Sequence, residues 1–191
     1  MATATAPISV VPQPITQPLT STDAASGFEC EHEVLNRFFR QEAGQNQRRD
    51  MSRTWVLRRP DDQAELPAVL GYYTLTVGNV ERTTLPESVI KRLPRYPIPA
   101  IIIARLARDS RVKGQGYGET LLDDAHRRAL HVSEQAGAAV VIVDAKDPRA
   151  SNFYSRFGYE PLIGSSSEGE RWPRRMFLMM ATLRSSFEED A

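Results

Sequence analysis

The stretch "PAIIIARLARDSRVKGQGYGETLLDDAHRRAL", residues 99–130, runs through three patterns in succession. The apolar run at residues 99–107 predicts a buried strand, and residues 117–136 have apolar side chains at helical spacing. Between them, "RVKGQGYG" (residues 111–118) holds three glycines and two cations. Because a glycine inside a helix costs about 1 kcal/mol relative to alanine, this concentration indicates that a ligand approaches the backbone closely.

The order of the surrounding elements predicts an α/β fold. A second apolar strand at residues 138–145 follows the long helix, and a strand–helix–strand connection implies a parallel pair in a mixed sheet. Further strands are predicted at residues 52–59, 68–82 and 174–183. Helices are predicted at residues 30–47, within the proline-rich residues 85–99, and at residues 147–157. The sheet is therefore expected to be flanked by helices.

Glycines between a strand and a helix let consecutive backbone N–H groups point at one spot. The helix behind them adds about half a positive charge at its N-terminus, so the junction suits a phosphate or diphosphate. Arg111 and Lys113 add charge there. The stretch lacks the Lys-Ser/Thr pair of a Walker loop and the spacing of the dinucleotide fingerprint. A purely structural turn is the alternative.

Composition limits the function classes. The 191 residues are 41% hydrophobic, and 24 basic residues balance 24 acidic ones. One cysteine, Cys30, cannot form an intrachain disulfide, and we expect no metal site. No apolar run approaches the ~20 residues of a membrane span, and no secretory signal is visible, so we expect a cytoplasmic protein without a membrane partner. We divide the chain into a loose arm with at most one short strand near residues 8–11 (residues 1–26), one domain (residues 27–185) and an acidic tail (residues 186–191).

Two motifs resemble the Gcn5-related N-acetyltransferases, the GNAT superfamily. The spacing R-x-x-G-x-G from Arg111 to Gly116 is similar to their acetyl-CoA diphosphate loop, and "SNFYSRFGYEPL" (residues 151–162) to their late short helix and turn. The resemblance covers about residues 28–183. It implies a mixed, mostly antiparallel sheet with a central splayed parallel strand pair, an N-acetyltransferase activity, and acetyl-CoA as the acyl donor.

A narrower resemblance rests on "FECEHEVLNRFF", "GYYTL" and "FYSRFGY". Together they are similar to the GNAT-type toxins of bacterial toxin–antitoxin operons, which acetylate the amino group of aminoacyl-tRNA and block translation. The resemblance implies charged tRNA as substrate, a ribbon–helix–helix antitoxin, a homodimer, and no DNA contact except through the antitoxin. The alternatives are an acetyltransferase acting on a small-molecule or protein amine, and a non-catalytic CoA-binding module.

The same resemblance assigns roles to individual residues. Tyr154 is the candidate general acid, because a phenol with a pKa near 10 matches a leaving thiolate better than a carboxylic acid does; an ordinary packing role is the alternative. Main-chain groups of Leu106 and Arg108 are expected to meet the pantetheine and thioester, and the Asn152 amide the pantetheine peptide. The full cofactor-binding set is Leu106, Ala107, Arg108, Arg111, Val112, Lys113, Gly114, Gln115, Gly116, Tyr117, Gly118, Asn152 and Tyr154.

The remaining polar candidates concern tRNA and proton transfer. Basic residues that suit a phosphate-binding surface are Arg48, Arg49, Arg82, Lys91, Arg92 and Arg95, with ordinary solvated cations as the alternative. We expect surface positions for the three histidines and for the Asp123–Asp124 pair. Cys30 is expected to be a small buried hydrophobe rather than a nucleophile.

Overall fold

The computed structural model describes residues 15–91, 93, 95–164 and 172–189. They form one seven-stranded sheet in the order β1-β2-β3-β4-β5-β7-β6. The strands are β1 (Gln17–Pro18), β2 (Arg53–Arg58), β3 (Val69–Val80), β4 (Ile98–Arg108), β5 (Val140–Ala145), β6 (Glu160–Pro161) and β7 (Arg174–Met179). The helices are α1 (Glu33–Arg37), α2 (Ala43–Arg48), α3 (Glu87–Ile90), α4 (Tyr117–Ala136), α5 (Pro148–Ser155) and α6 (Met180–Glu189). A π-helical turn, Phe38–Glu42, joins α1 to α2, and the helix then continues through the glycine at position 44.

The sheet is mixed, with one parallel pair between β4 and β5, as the sequence predicted. That pairing ends at Ile103 opposite Val143, although β4 continues to Arg108. The strands part where the register between β3 and β4 shifts, which leaves Ala104 as an extra residue in β4. Bulges of this kind bend a strand and end its pairing. The expected splayed strand pair is therefore confirmed, and the bulge is its local cause.

Each face of the sheet is covered by apolar helix surface. On one face, α4 buries Leu121, Leu122, Ala125 and Ala129 completely. On the other face, the segment from α1 to α2 packs a cluster of rings around Tyr72, whose centroid lies 4.6 Å from that of Phe39. The two layers fix where β4 ends and where α4 begins, and so they position the glycine stretch between them.

Three boundaries differ from the sequence expectations. The strand predicted at residues 174–183 ends at Met179, because the β5 strand that it pairs with extends only to Val140; the chain continues as α6, which buries Leu183. The predicted acidic tail therefore starts within α6, and residues 190–191 lie outside the described residues. In the predicted arm, residues 15–26 pack on the sheet through β1, which pairs with β2. The strand expected near residues 8–11 lies outside the described residues.

Asp124 and His126 were expected at the surface, and both expectations are wrong. Helical spacing puts Asp124 three residues after Leu121, on the buried face of α4. Its carboxylate accepts hydrogen bonds from the Ile15 N–H (3.1 Å) and from the side chains of Thr16, Tyr73 and Arg128. His126 Nε2 lies 2.8 Å from the Tyr159 hydroxyl, and burial lowers the His126 pKa to about 4.

We predict that Asp124→Ala lowers the free energy of unfolding by about 3 kcal/mol. The change leaves several buried hydrogen-bonding groups, including the Tyr73 hydroxyl, without their acceptor. Asp123→Ala is the matched control, since the Asp123 carboxylate is half exposed and pairs with Arg127 one helical turn away; it should cost no more than about 0.5 kcal/mol. Urea denaturation measures both values, and equal losses would contradict the role assigned to Asp124.

Candidate active site

A cleft opens where β4 and β5 part. On the loop side it widens into a cavity of about 290 Å³, whose lining includes Leu106, Arg108, Gly118 and Tyr154. A smaller cavity of about 80 Å³ lies between the strands and is lined by Ala104, Leu106 and, again, Tyr154. The parted strands thus create one path from the glycine stretch to the bulge in β4, with Tyr154 beside both parts of it.

The glycine stretch presents a row of free backbone donors at one end of this path. Gly114 and Gly116 adopt φ values of +80° and +82°, a region that side chains with a Cβ rarely enter. In the part of the chain that the structure describes, no N–H group of residues 114–118 donates to a protein acceptor, and the helical bonds begin with the Glu119 and Thr120 N–H groups. Five successive amides therefore remain available at the N-terminus of α4.

Some of the groups that the sequence assigned to anion binding, at residues 111–113, form hydrogen bonds within the protein instead. The N–H groups of Val112 and Lys113 already donate to the carbonyls of Asp109 and Ser110, each at 3.3 Å. The Arg111 guanidinium, expected to add charge to an anion site, instead donates to both oxygens of Asp109, at 2.8 and 2.7 Å. Asp109 is fully buried, and burial alone would raise its pKa; hydrogen bonds from Arg111 and from the Glu29 N–H outweigh that effect and hold the pKa below its usual value. Arg111 therefore anchors the loop.

Tyr154 and Asn152 both lie on α5, on opposite sides of its surface. Tyr154 is 8% exposed, and its hydroxyl has no hydrogen-bond partner among the described residues. Burial, and to a lesser degree the nearby Asp144, raises the pKa of its phenol. Asn152 is exposed, so its amide faces solvent. The neighbouring ring of Tyr159 is buried in the core, and those of Phe153 and Phe157 are partly buried against it.

Six charged residues that line the cleft were not found by sequence reasoning. Arg105, Asp144 and Lys146 line the smaller cavity, and Glu31, Asp147 and Arg149 line the larger one. Burial lowers the pKa of Lys146, and the charge of Arg105 lowers it further. Lys146 lies two residues before α5, and Arg149 is the second residue of that helix. Their position next to the recognised α5 motif could therefore have indicated that they line the cleft. Glu31 precedes α1, and nothing in the sequence indicates that it meets the glycine stretch.

The basic candidates fall into two separate groups. Arg48 and Arg49 are exposed at the end of α2, with no ion-pair partner among the described residues. They lie beside β2, where Arg53 is opposite Leu75, which is itself opposite Ile103 at the point where the strands part. Two strand spacings, about 10 Å, separate that edge from the cleft.

The second basic group lies beyond the other end of β4. Lys91 and Arg95 are exposed there, and the Arg82 side chain donates to the Ile90 carbonyl at 2.7 Å. About 17 Å of strand separates Ile98 from Ile103. Arg92 lies outside the described residues.

The cysteine, the two exposed histidines and the acidic residues add no further functional site among the described residues. Cys30 is half-buried rather than buried, and burial raises the pKa of its thiol. Within the described ranges, His, Cys, Asp and Glu residues do not gather into a group able to hold a metal ion. In the same ranges no helix has both the length and the apolar character needed to cross a bilayer. His32 and His131 are exposed, as expected.

No protein-family model matches the chain. A probable toxin TacT of Sinorhizobium fredii is 32% identical over 168 residues, which cover 84% of this chain and 87% of that protein. The tRNA-acetylating toxin of Mycobacterium tuberculosis is 30% identical over 142 residues, which cover 74% of this chain and 81% of that protein.

Solved structures resemble the whole described domain. AtaT complexed with acetyl-methionyl-tRNAfMet has a TM-score of 0.76 and 30% identity, over 90% of this chain and 98% of that one. A tyrosine-to-phenylalanine mutant of AtaT, bound to the C-terminus of the antitoxin AtaR and to acetyl-CoA, has a TM-score of 0.69 and 27% identity, over 90% of this chain and 96% of that one. By identity over most of its length, and by a fold shared with these solved toxins, the chain belongs to the GNAT-type tRNA-acetylating toxins.

Proposed function

We propose that this protein transfers the acetyl group of acetyl-CoA to the amino group of aminoacyl-tRNA and thereby blocks translation. The observation that carries the proposal is the row of free amides at residues 114–118, placed at the mouth of the cleft between β4 and β5. The complexes of AtaT with acetyl-CoA and with acetylated tRNA support it. The site of action is the cytoplasm, where charged tRNA is found.

The cleft fits coenzyme A in both of its chemical parts. The five amides and the N-terminus of α4 suit the diphosphate, which needs several donors and no side chains in the way. The edge of β4 from Leu106 to Arg108, which β5 leaves unpaired, suits the amide groups of pantetheine. When bound, acetyl-CoA supplies an acetyl group as a reactive thioester. Asn152 is the further candidate for the pantetheine chain; its side chain is exposed and lines neither cavity, so it would meet the chain outside the cleft.

Tyr154 suits the role of general acid. A tyrosine phenol is protonated at physiological pH even without the upward pKa shift that burial causes, so its O–H is available to donate to the departing sulfur. Tyr154 lines both cavities together with Leu106, whose main chain is the expected contact of the pantetheine and thioester. The acceptor amine loses its proton to solvent, because the amino group of an aminoacyl ester is less basic than that of lysine.

The tRNA surface that we propose is the one at the end of α2. Arg48 and Arg49 are exposed cations level with the point where the strands part, whereas Arg82 is engaged with the backbone and the second group is farther along β4. Such cations attract the phosphates of the acceptor stem without reading its sequence. By analogy with the complex of AtaT and the antitoxin AtaR, we also infer an antitoxin partner. That this antitoxin is a ribbon–helix–helix protein and that the toxin is a homodimer are inferred from the family resemblance of the sequence.

The assay that tests the function uses labelled acetyl-CoA and total charged tRNA. We expect label in the aminoacyl group, recovered after mild base treatment as N-acetyl amino acid. Polyamines and a lysine-rich protein serve as competing acceptors in parallel reactions. Label in those acceptors and none in the charged tRNA would contradict the proposal and would favour an acetyltransferase of small-molecule or protein amines.

We predict that Tyr154→Phe slows acetyl transfer about 10²- to 10⁴-fold, because the leaving thiolate then lacks its proton donor. Acetyl-CoA affinity should stay within about twofold, since the aromatic ring remains and only the hydroxyl is lost. Tyr96→Phe is the matched control, because Tyr96 is an exposed tyrosine at the far end of β4. Single-turnover rates measure the effect. An unchanged rate in Tyr154→Phe would remove Tyr154 from the chemistry and leave the acetyl transfer itself in place.

A further inference from the structure

The Glu31 carboxylate lies at the mouth of the cleft, close to cations from three parts of the fold. Glu31, in the segment before α1, contacts the Lys113 ammonium of the glycine stretch. The same carboxylate lies 3.5 Å from the Arg149 guanidinium, at the start of α5, and 3.9 Å from that of Arg108, at the end of β4. Three cations from three separate elements therefore surround one acidic group, immediately beside the free amides of residues 114–118.

The backbone that leads into Glu31 is held by hydrogen bonds at the two residues before it. The Cys30 N–H donates to Asn36 Oδ1 at 2.8 Å, and Asn36 Nδ2 donates to the Cys30 carbonyl at 3.1 Å. Two residues earlier, the Glu29 N–H donates to the buried Asp109 carboxylate at 3.0 Å. The Glu31 side chain is 41% exposed, so it has room to rotate into solvent. Its release from the cations thus needs a change of rotamer and no movement of the chain.

A carboxylate held by Lys and Arg side chains occupies the kind of position that a phosphate takes. We infer that Glu31 is an internal competitor of the cofactor: it occupies a phosphate position formed by Lys113, Arg108 and Arg149, and a phosphate of coenzyme A displaces it. This inference rests on the proposed function, because it concerns the same cleft. It assigns to these three cations a phosphate contact that is separate from the backbone amides of the glycine stretch.

Because the ion pairs of Glu31 are exposed, replacing its carboxylate by a phosphate costs little free energy. Exposed salt bridges contribute little to stability, so the displaced carboxylate loses little by turning to water. The negative charge nevertheless remains near a ligand that carries several, and that repulsion weakens binding at low salt. Glu31 therefore sets the affinity for acetyl-CoA below the value that the cations alone would give.

We predict that Glu31→Gln tightens coenzyme A binding about five- to tenfold at low salt, measured by calorimetry. Glu134→Gln is the matched control: it makes the same change of charge on an exposed residue near the far end of α4, and its Kd should stay within about twofold of the unchanged protein. Acetyl-pantetheine, which has no phosphate, should bind equally to all three proteins. In about 0.5 M salt, screening should reduce the gain to about twofold or less.

Further measurements make the outcome decisive. Dephospho-CoA identifies the phosphate: a retained gain assigns the diphosphate, and a lost gain assigns the 3′-phosphate. An unchanged or weaker Kd for Glu31→Gln, or an equal gain with acetyl-pantetheine, would overturn the inference while coenzyme A binding by the unchanged protein kept the proposed function intact. Absence of coenzyme A binding by the unchanged protein would overturn both.

Discussion

The site depends on the point at which β4 leaves β5. The bulge at Ala104 ends the parallel pairing after Ile103, and the two strands then diverge between helices that are held in place by their buried faces. The same geometry brings the end of β4 and the start of α4 to one mouth, where two left-handed glycines lie in a run of five amides that have no acceptor among the described residues. β5 itself ends at Ala145, two residues beyond Val143, so the last part of β4 keeps one edge that β5 does not pair with.

Charge at the site is arranged locally in a chain with no net charge. Arg111 is used to neutralise the buried Asp109, which also holds the segment leading to Glu31. Lys113, Arg108 and Arg149 remain as cations that share a single carboxylate. A neutral protein can thus present an excess of cations to an anionic cofactor at one mouth, where Lys113, Arg108 and Arg149 outnumber the carboxylates of Glu31 and Asp147.

Much of this fold could be predicted from local patterns. The bounds predicted for the long helix, residues 117–136, match α4, because a capping glycine marks each end of a strongly amphipathic run. The parallel pair followed from the connection between its strands. The bulge could not be predicted, since it depends on how β4 registers against β3. Asp124 and His126 were expected at the surface because their residue type was given more weight than their position on the helix. Glu31 was missed because its partners are distant in sequence.

In the proposed function, the backbone amides around Gly116 bind the diphosphate of coenzyme A. Two alanine replacements test it directly: Gly116→Ala at the start of α4 and Gly137→Ala at its end. Both glycines have a positive φ and open space around an added Cβ, so each replacement should cost about 1 kcal/mol of stability. Calorimetry with acetyl-CoA should then give at least a tenfold weaker Kd for Gly116→Ala and an unchanged Kd for Gly137→Ala. Equal affinities in the two variants would contradict the account.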